Sequence, residues 1–459
     1  MSGVLRYFEF VDGSSNKFWE IVADEKTVKT RYGKIGTSGQ TTVKEFSSDV
    51  EVSKEVARLV SEKTKKGYIE PASKAQPTDL SVVKEPSSSD VNNGQLNSRN
   101  IEIEAKVAAN PYDKKAWKAL TDWLLKQGDL RGQLAVLQLA KNEEEAAQFL
   151  EQHSEYFLGS LATHTKTYDY EEDEAFSWRN GFIFGEKLSY VSFQKNFASD
   201  FFPQEVLKPL LVHPSARFLT EIGFQDNGEF SNDLQDLIDV LAKYAPKSIR
   251  KLELGYNVDQ ISWYKIGHLG SLWKALPNLQ KLDIEAGSFI LGKINLPELK
   301  HAVFLTGGLS SESGKAIATA NWPKLEHLEI YYGHENYGAE CSMKEVRPLL
   351  KRTDLTNLKY LGLKNCEFTD AICAELATSP LLKGIRTLDL SLGCMTIKGA
   401  KILAANPDAF KHLDEINVED NYLDKVAVEI LKGLCKKVTG LRSQKQEDEP
   451  DYRYVSVGE

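Results

Sequence analysis

Four carboxylates, Glu253, Asp283, Glu329 and Asp389, and one amide, Asn417, stand at the same place in a recurring apolar pattern, each just after its middle apolar residue. Two positions further along come Glu285, Tyr331, Lys364 and Glu419, with Tyr256 and Tyr332 adjacent. Alternate residues of a strand share a face, so this spacing predicts a mostly acidic stripe, exposed and edged by tyrosines. Its chemistry would be recognition. Carboxylates steer a basic protein segment and aromatic rings anchor it; acidic residues at such positions also serve solubility alone.

Catalytic constellations are not written in the chain. Its histidines, His153, His164, His213, His268 and His412 among them, form no H-E-x-x-H or H-x-H pattern, and neither a Walker A nor a G-x-S-x-G motif occurs. Gly33-x-x-Gly36-x-x-Gly39 reads as a turn rather than a phosphate cradle opening a helix. The run Tyr168-Asp169-Tyr170-Glu171-Glu172-Asp173-Glu174 lacks the Gly turn and distal Glu of a calcium loop and reads as a solvated insertion. The five cysteines, Cys341, Cys366, Cys373, Cys394 and Cys435, include no C-x-x-C pair and read as buried reduced thiols. The expectation is a protein without enzymatic activity, metal or cofactor.

The 459 residues are 41% hydrophobic and carry a formal charge of −9. That balance argues against a general nucleic-acid coat or a binder of acidic membranes. The opening stretch does not read as a signal peptide and no apolar run reaches spanning length, so a cytoplasmic protein with no membrane contact is expected.

The elements that must position the stripe follow from the pattern itself. It is L-x-x-L-x-L, or a close variant, followed three residues later by Asn, Cys or Gly: Leu219/Ile222/Phe224 with Asn227, Ile249/Leu252/Leu254 with Asn257, Leu279/Leu282/Ile284 with Gly287, and Leu299/Ala302/Phe304 with Gly307. Leu325/Leu328/Ile330 with Gly333, Leu358/Leu361/Leu363 with Cys366, Ile385/Leu388/Leu390 with Gly393 and Leu413/Ile416/Val418 with Asn421 complete it. Alternating apolar residues make a short strand with one buried face, and the Asn, Cys or Gly suits the turn leaving it. Helical stretches stand between, such as Thr369 to Leu376 and Thr396 to Leu403, each opened by a Thr able to cap, and Leu423 to Leu434. The pattern resembles the leucine-rich repeats of the ribonuclease-inhibitor type. That resemblance implies an α/β horseshoe solenoid of about eight repeats over residues 214–440, with the stripe on its concave side.

Residues 1–71 form a first unit of four strand-like pieces and a helix from about Ser53 to Lys66, with Gly67 as its C-terminal cap. The string from Arg31 to Gln40, with Tyr32-Gly33-Lys34 at its head, preceded by Asn16-Lys17-Phe18-Trp19-Glu20 and followed by Lys65-Lys66-Gly67-Tyr68, resembles a WGR domain. The likeness is to bacterial WGR proteins related to the molybdate-metabolism regulator and, more distantly, to DNA-dependent poly(ADP-ribose) polymerases. It implies an α+β fold, and for Tyr32 and Lys34 either nucleic-acid contact or a role in turn architecture or protein contact. Tyr and Lys replace the naming Trp and Arg, so the planar fork of Arg is lost. Twelve basic against eleven acidic residues leave the unit nearly neutral.

Residues 72–99, rich in Pro, Ser, Asn and Lys, read as a flexible linker. Trp117, Leu120, Trp123 and Leu124 then recur at helical spacing before Gly128. With Gly128-Asp129, Arg131-Gly132 and Trp178-Arg179-Asn180-Gly181-Phe182, residues 100–213 resemble the helical companion domain that precedes bacterial leucine-rich repeats; a tetratricopeptide-like helix pair is the alternative. Residues 441–459 read as an acidic tail, disordered over 446–451. The sequence thus predicts an adaptor that grips a protein partner through its repeats; the alternative is a regulator whose WGR unit binds DNA or RNA.

Overall fold

The computed structural model describes residues 6–12, 15–24, 26–34, 40–46, 49–66, 68, 99–163, 176–189, 203–225, 234–255, 261–446 and 453–458. Gly36, Gly39, Gly67, residues 72–98, His164, the acidic run 168–174, Asn227, Tyr256, Asn257 and residues 447–451 lie outside them. Contacts divide the chain into two units, Met1–Ser87 and Ser88–Glu459.

In the first unit, strands β1 (Arg6–Asp12), β2 (Ser15–Asp24), β3 (Thr27–Lys34) and β4 (Gln40–Glu45) form an antiparallel sheet in chain order, followed by the helix Asp49–Lys65. Alternation along β2 sorts its side chains. Trp19 and Ile21 are buried with Phe8, Val28 and, from the helix, Val52. On the opposite face Arg31 grips Glu20 through two bonds of 2.6 and 2.8 Å, its guanidinium 5.0 Å above the Phe18 ring. Packing of an apolar sheet face under one amphipathic helix is what holds so small a unit.

The second unit opens with helices Ile101–Ala109, Lys114–Lys126, Leu130–Leu139 and Glu143–Gln152, capped by the side chains of Asn100, Asp113, Asp129 and Asn142. Trp117, Leu120 and Leu124 are buried with Phe182 and Phe218, and the Trp117 indole donates to the Pro111 carbonyl at 2.7 Å. Trp123 is only half-buried.

The remaining strands are β5 (Ser177–Arg179), β6 (Phe182–Ser189), β7 (Glu221–Gln225), β8 (Lys251–Leu254), β9 (Lys265–His268), β10 (Lys281–Glu285) and β11 (Ser288–Ile290). They continue with β12 (His301–Leu305), β13 (His327–Gly333), β14 (Tyr360–Cys366), β15 (Thr387–Asp389), β16 (Glu415–Asn417) and β17 (Val438–Thr439). Eleven of them make one mixed sheet, in the order β17-β16-β15-β14-β13-β12-β10-β8-β7-β6-β5; β9 and β11 pair separately. The β5–β6 pair is antiparallel and the other neighbours are parallel.

Every residue of the eight apolar triplets is exposed by 1% or less, and the middle residues align in register, Ile222–Leu252–Leu282–Ala302–Leu328–Leu361–Leu388–Ile416. Helices Gln235–Tyr244, Ser311–Thr319, Met343–Leu350, Thr369–Leu376, Ile397–Ala404 and Lys425–Leu431 pack on that apolar layer. The turns leaving the strands are tight. Gly255, Gly333, Asn365, Leu392 and Asp420 all hold positive φ, and a Cβ at Gly333 would lie 1.8 Å from the Gly307 carbonyl. Asn421 is fully buried and bonds the backbone of Leu390, Val418 and Met395. Segment 453–458 lies back across the C-terminal ends of β12 to β16.

Candidate functional site

Parallel register turns one strand position into a row. The row before the middle apolar residue is Lys251, Lys281, His301, His327, Tyr360, Thr387 and Glu415; the row after it is Glu253, Asp283, Val303, Glu329, Gly362, Asp389 and Asn417. The four carboxylates therefore do share one face. They are not an exposed acidic stripe. Glu253 is 9% and Asp389 5% exposed, and Asp283, Glu285 and Glu329 are half-buried.

The physical reason is pairing, within strands as well as between them. Lys251 lies 2.9 Å from Glu253, and Lys281 lies 2.7 Å from Asp283. Lys364 lies 2.9 Å from Glu329 and 3.8 Å from Asp389, while the Tyr360 hydroxyl donates to Asp389 at 2.8 Å. Four carboxylates against three lysines leave one net negative charge among them. Burying a carboxylate is tolerable only with such partners.

The rings form a ledge. His301 stacks on His327 with centroids 4.2 Å apart, and His327 on Tyr360 at 4.0 Å, with planes within 18° and 12°. His301 Nε2 lies 3.2 Å from Asp283 and His327 Nε2 3.5 Å from Glu329.

Two of the expected edge residues sit elsewhere. Tyr332 points into the core against Phe368, and Glu419 is exposed in the turn beyond β16. Tyr331 does join the face, 6% exposed, with Lys364 4.8 Å above its ring.

Glu329, Lys364 and Tyr360 on this face are each held in one protonation state. Burial alone would raise the Glu329 pKa, but His327 and Lys364 outweigh it and hold the carboxyl down at about 2. Burial alone would lower that of the Lys364 ammonium, but Tyr331, Glu329 and Asp389 push it up. Burial and Asp389 push the Tyr360 phenol far above its ordinary range. Groups locked in one protonation state suit recognition better than proton transfer.

Sequence reasoning missed Lys251, Lys281, His301, His327 and Tyr360. A signal existed for four of them: Lys251, Lys281 and His327 stand two residues before a position already singled out and Tyr360 four before Lys364, hence on the same face, whereas His301 precedes only Val303.

In the first unit Tyr32 is 40% exposed on the helix-bearing side of the sheet, cross-strand from Trp19. Lys34 is exposed and pairs in register with Lys17, and the Lys63 ammonium lies 6.0 Å from the Tyr32 ring. Partial burial, and then Lys66, push the Lys63 pKa down.

Among the described residues no group of His, Cys, Asp and Glu is arranged to hold a metal ion, and no helix is long and apolar enough to cross a membrane. All five cysteines are free thiols, with Cys366, Cys373 and Cys394 buried.

Comparison with known proteins places a WGR domain at residues 5–75. Protein YehF of Escherichia coli (strain K12) is 37% identical over 68 residues, which is 15% of this chain and 25% of that protein. Uncharacterized protein YfeS of the same organism is 40% identical over 63 residues, 14% of this chain and 26% of that protein. The chain thus spans about a quarter of the length of these curated relatives. A crystal structure of a Bacteroides fragilis protein is similar over 96% of this chain and 97% of its own, with 25% identity and a TM-score of 0.50.

Proposed function

We propose that this chain is a non-enzymatic, cytoplasmic adaptor whose second unit is a leucine-rich-repeat solenoid that grips a protein partner on its strand face. The observation that carries the reading is the stacked ledge His301–His327–Tyr360, flanked by carboxylates held ionised. An arginine-bearing segment suits it. A guanidinium can lie on an end face of the stack, at His301 or Tyr360, and donate in plane to a flanking carboxylate, so recognition rests on local geometry rather than on bulk negative charge.

The test uses the full chain as bait, then measures the affinity of each purified captured protein for wild type and for the His301→Ala/His327→Ala variant. Because His327 also helps to hold Glu329 ionised, the thermal transition of the variant is measured alongside and affinity is compared at a temperature where both proteins are folded. A loss of at least tenfold in affinity supports the face; undiminished affinity in the folded variant removes it.

A second reading has its own observation, the exposed Tyr32 ring beside Lys34 and Lys63 in the WGR domain. An aromatic face with nearby cations suits a nucleic-acid end or single strand. Nicked DNA should be retarded in a salt-sensitive way by the full chain, and Tyr32→Ala with Lys34→Ala should weaken it about tenfold. Absence of binding by wild type at low salt removes this reading.

A further inference from the structure

The strand ends already have an occupant. Segment 453–458, Arg-Tyr-Val-Ser-Val-Gly, crosses from the turn after β16 back toward β12, and it is held chiefly through its main chain. The Tyr454 N–H donates to the Tyr422 hydroxyl at 2.9 Å, and the Tyr454 carbonyl accepts from Lys445 at 2.7 Å and from Tyr422 at 3.2 Å. The Ser456 N–H donates to the Leu392 carbonyl at 3.0 Å. Asn365 then acts as a one-residue strand. Its amide donates to the Val457 carbonyl at 2.6 Å and accepts the Val457 N–H at 2.8 Å.

Two positions test side chains. The Tyr454 ring stacks on His334 at 4.2 Å, within 11° of parallel, and its hydroxyl accepts from Asn336 at 2.9 Å. Gly458 has no room for more: a Cβ there would lie 2.4 Å from the Tyr337 ring, and its carbonyl is the atom that a Cβ on Gly307 would strike at 2.3 Å. Bonding to successive backbone groups with selectivity at separated side chains is how a groove reads an extended peptide.

The groove side is built for an occupant. Asn365 is fully buried, at a φ of 52° that aims its amide outward from the strand end, and emptying the groove would leave that amide without the Val457 main chain. Burial pushes the Lys445 ammonium's pKa down, so the amine too depends on the carbonyls it meets. The segment itself offers one buried apolar side chain, Val455, at 9% exposure. Such a resident is held mostly by polar contacts that a second peptide of the same pattern can replace one for one.

We propose that the C-terminal ends of β12 to β16 form a groove for an extended peptide with Tyr-x-x-x-Gly spacing, and that residues 453–458 fill it in cis, so that a partner protein's segment of this pattern enters by displacing them. The groove lies across the strand ends and not along the ring-bearing face, so the two readings stand or fall separately.

The test is fluorescence anisotropy with a labelled Arg-Tyr-Val-Ser-Val-Gly peptide and the full chain. Ser456→Pro removes the N–H that meets Leu392 and should expose the groove, raising peptide affinity at least tenfold over wild type. Adding Asn365→Ala, or replacing the peptide's tyrosine by alanine, should return it to the wild-type level. A folded Ser456→Pro chain that binds the peptide no better than wild type overturns the proposal and leaves segment 453–458 a structural tie. Should Ser456→Pro fail to fold, hydrogen exchange in the wild-type chain decides. Excess peptide should speed exchange at Tyr454, Ser456 and Val457 at least tenfold, and unchanged rates overturn the displacement.

Discussion

Lys364 reaches across from β14 to Glu329 on β13, 2.9 Å away, with both side chains about 15% exposed or less. The pair fixes the protonation of both partners, and it gives the strand face a measurable dependence on acid. Glu329 has a folded pKa of about 2 against an ordinary 4.5. As pH falls the unfolded chain takes up the proton first, so the stability is fully present above about 4.5 and is lost toward 2. Glu329→Gln should therefore cost up to about 3 kcal/mol at neutral pH. Denaturant unfolding of both proteins from pH 7 to 2 should show the gap closing below 4.5; a gap that stays constant to pH 2 would contradict this account.

His213 supplies a second and separate window. Burial, and then Arg131 and Arg217, push its pKa down to about 4 from 6.5. Between those values the unfolded chain holds more protons, so stability is full above 6.5 and falls as pH drops to 4. His213→Asn keeps an acceptor for the Ser215 N–H, which the imidazole meets at 3.2 Å, and removes the titration. Its melting temperature should be flatter than wild type across pH 6.5 to 4, and equal slopes would argue against a buried neutral imidazole.

Leu361, fully buried in the central layer, should cost about 2 to 5 kcal/mol when cut to Ala, because the parallel layer on either side cannot collapse into the gap. Reversing exposed Glu419 to Lys should change stability by about 0.5 kcal/mol or less. Chemical denaturation of the two variants reads the contrast directly, and similar costs would mean the layer is not the core.

Asp129 and Arg131 form a pair 2.6 Å apart with both side chains 1% exposed, and Asp129 also caps the helix Leu130–Leu139. Asp129→Ala should cost about 3 to 5 kcal/mol by stranding a buried guanidinium. Adding Arg131→Met should recover part of that loss. Were the double variant less stable than the single, the stranded charge would not be the cause.

How far the chain discloses itself depends on the range of the interaction. The eight triplets were legible because burial is written in local periodicity, and Thr396 was legible as a cap, its hydroxyl accepting from Lys398. Thr369 was not: Phe368 holds the cap position, and the Thr369 hydroxyl donates to the Cys366 carbonyl at 2.6 Å. The row of carboxylates was visible, and so in principle were Lys251 and Lys281 two residues before Glu253 and Asp283, but the partners of Glu329 and Asp389 come from neighbouring strands; Lys364 and Glu329 are 35 positions apart. Segment 453–458 was invisible, since main-chain bonds carry no residue signature.

The left-handed turns and the segment lying over them bear on time as well as structure. Each inner strand of the large sheet pairs only with its two neighbours, whereas the bonds from Asn365 to Val457 and from Asn336 to Tyr454 close loops of 92 and 118 residues. Contacts so distant in sequence are expected to form after the rate-limiting barrier, so losing them should quicken unfolding and leave the folding rate almost alone. Removal of the segment from the strand ends is therefore expected to show first in the rate at which the chain unfolds on dilution into denaturant.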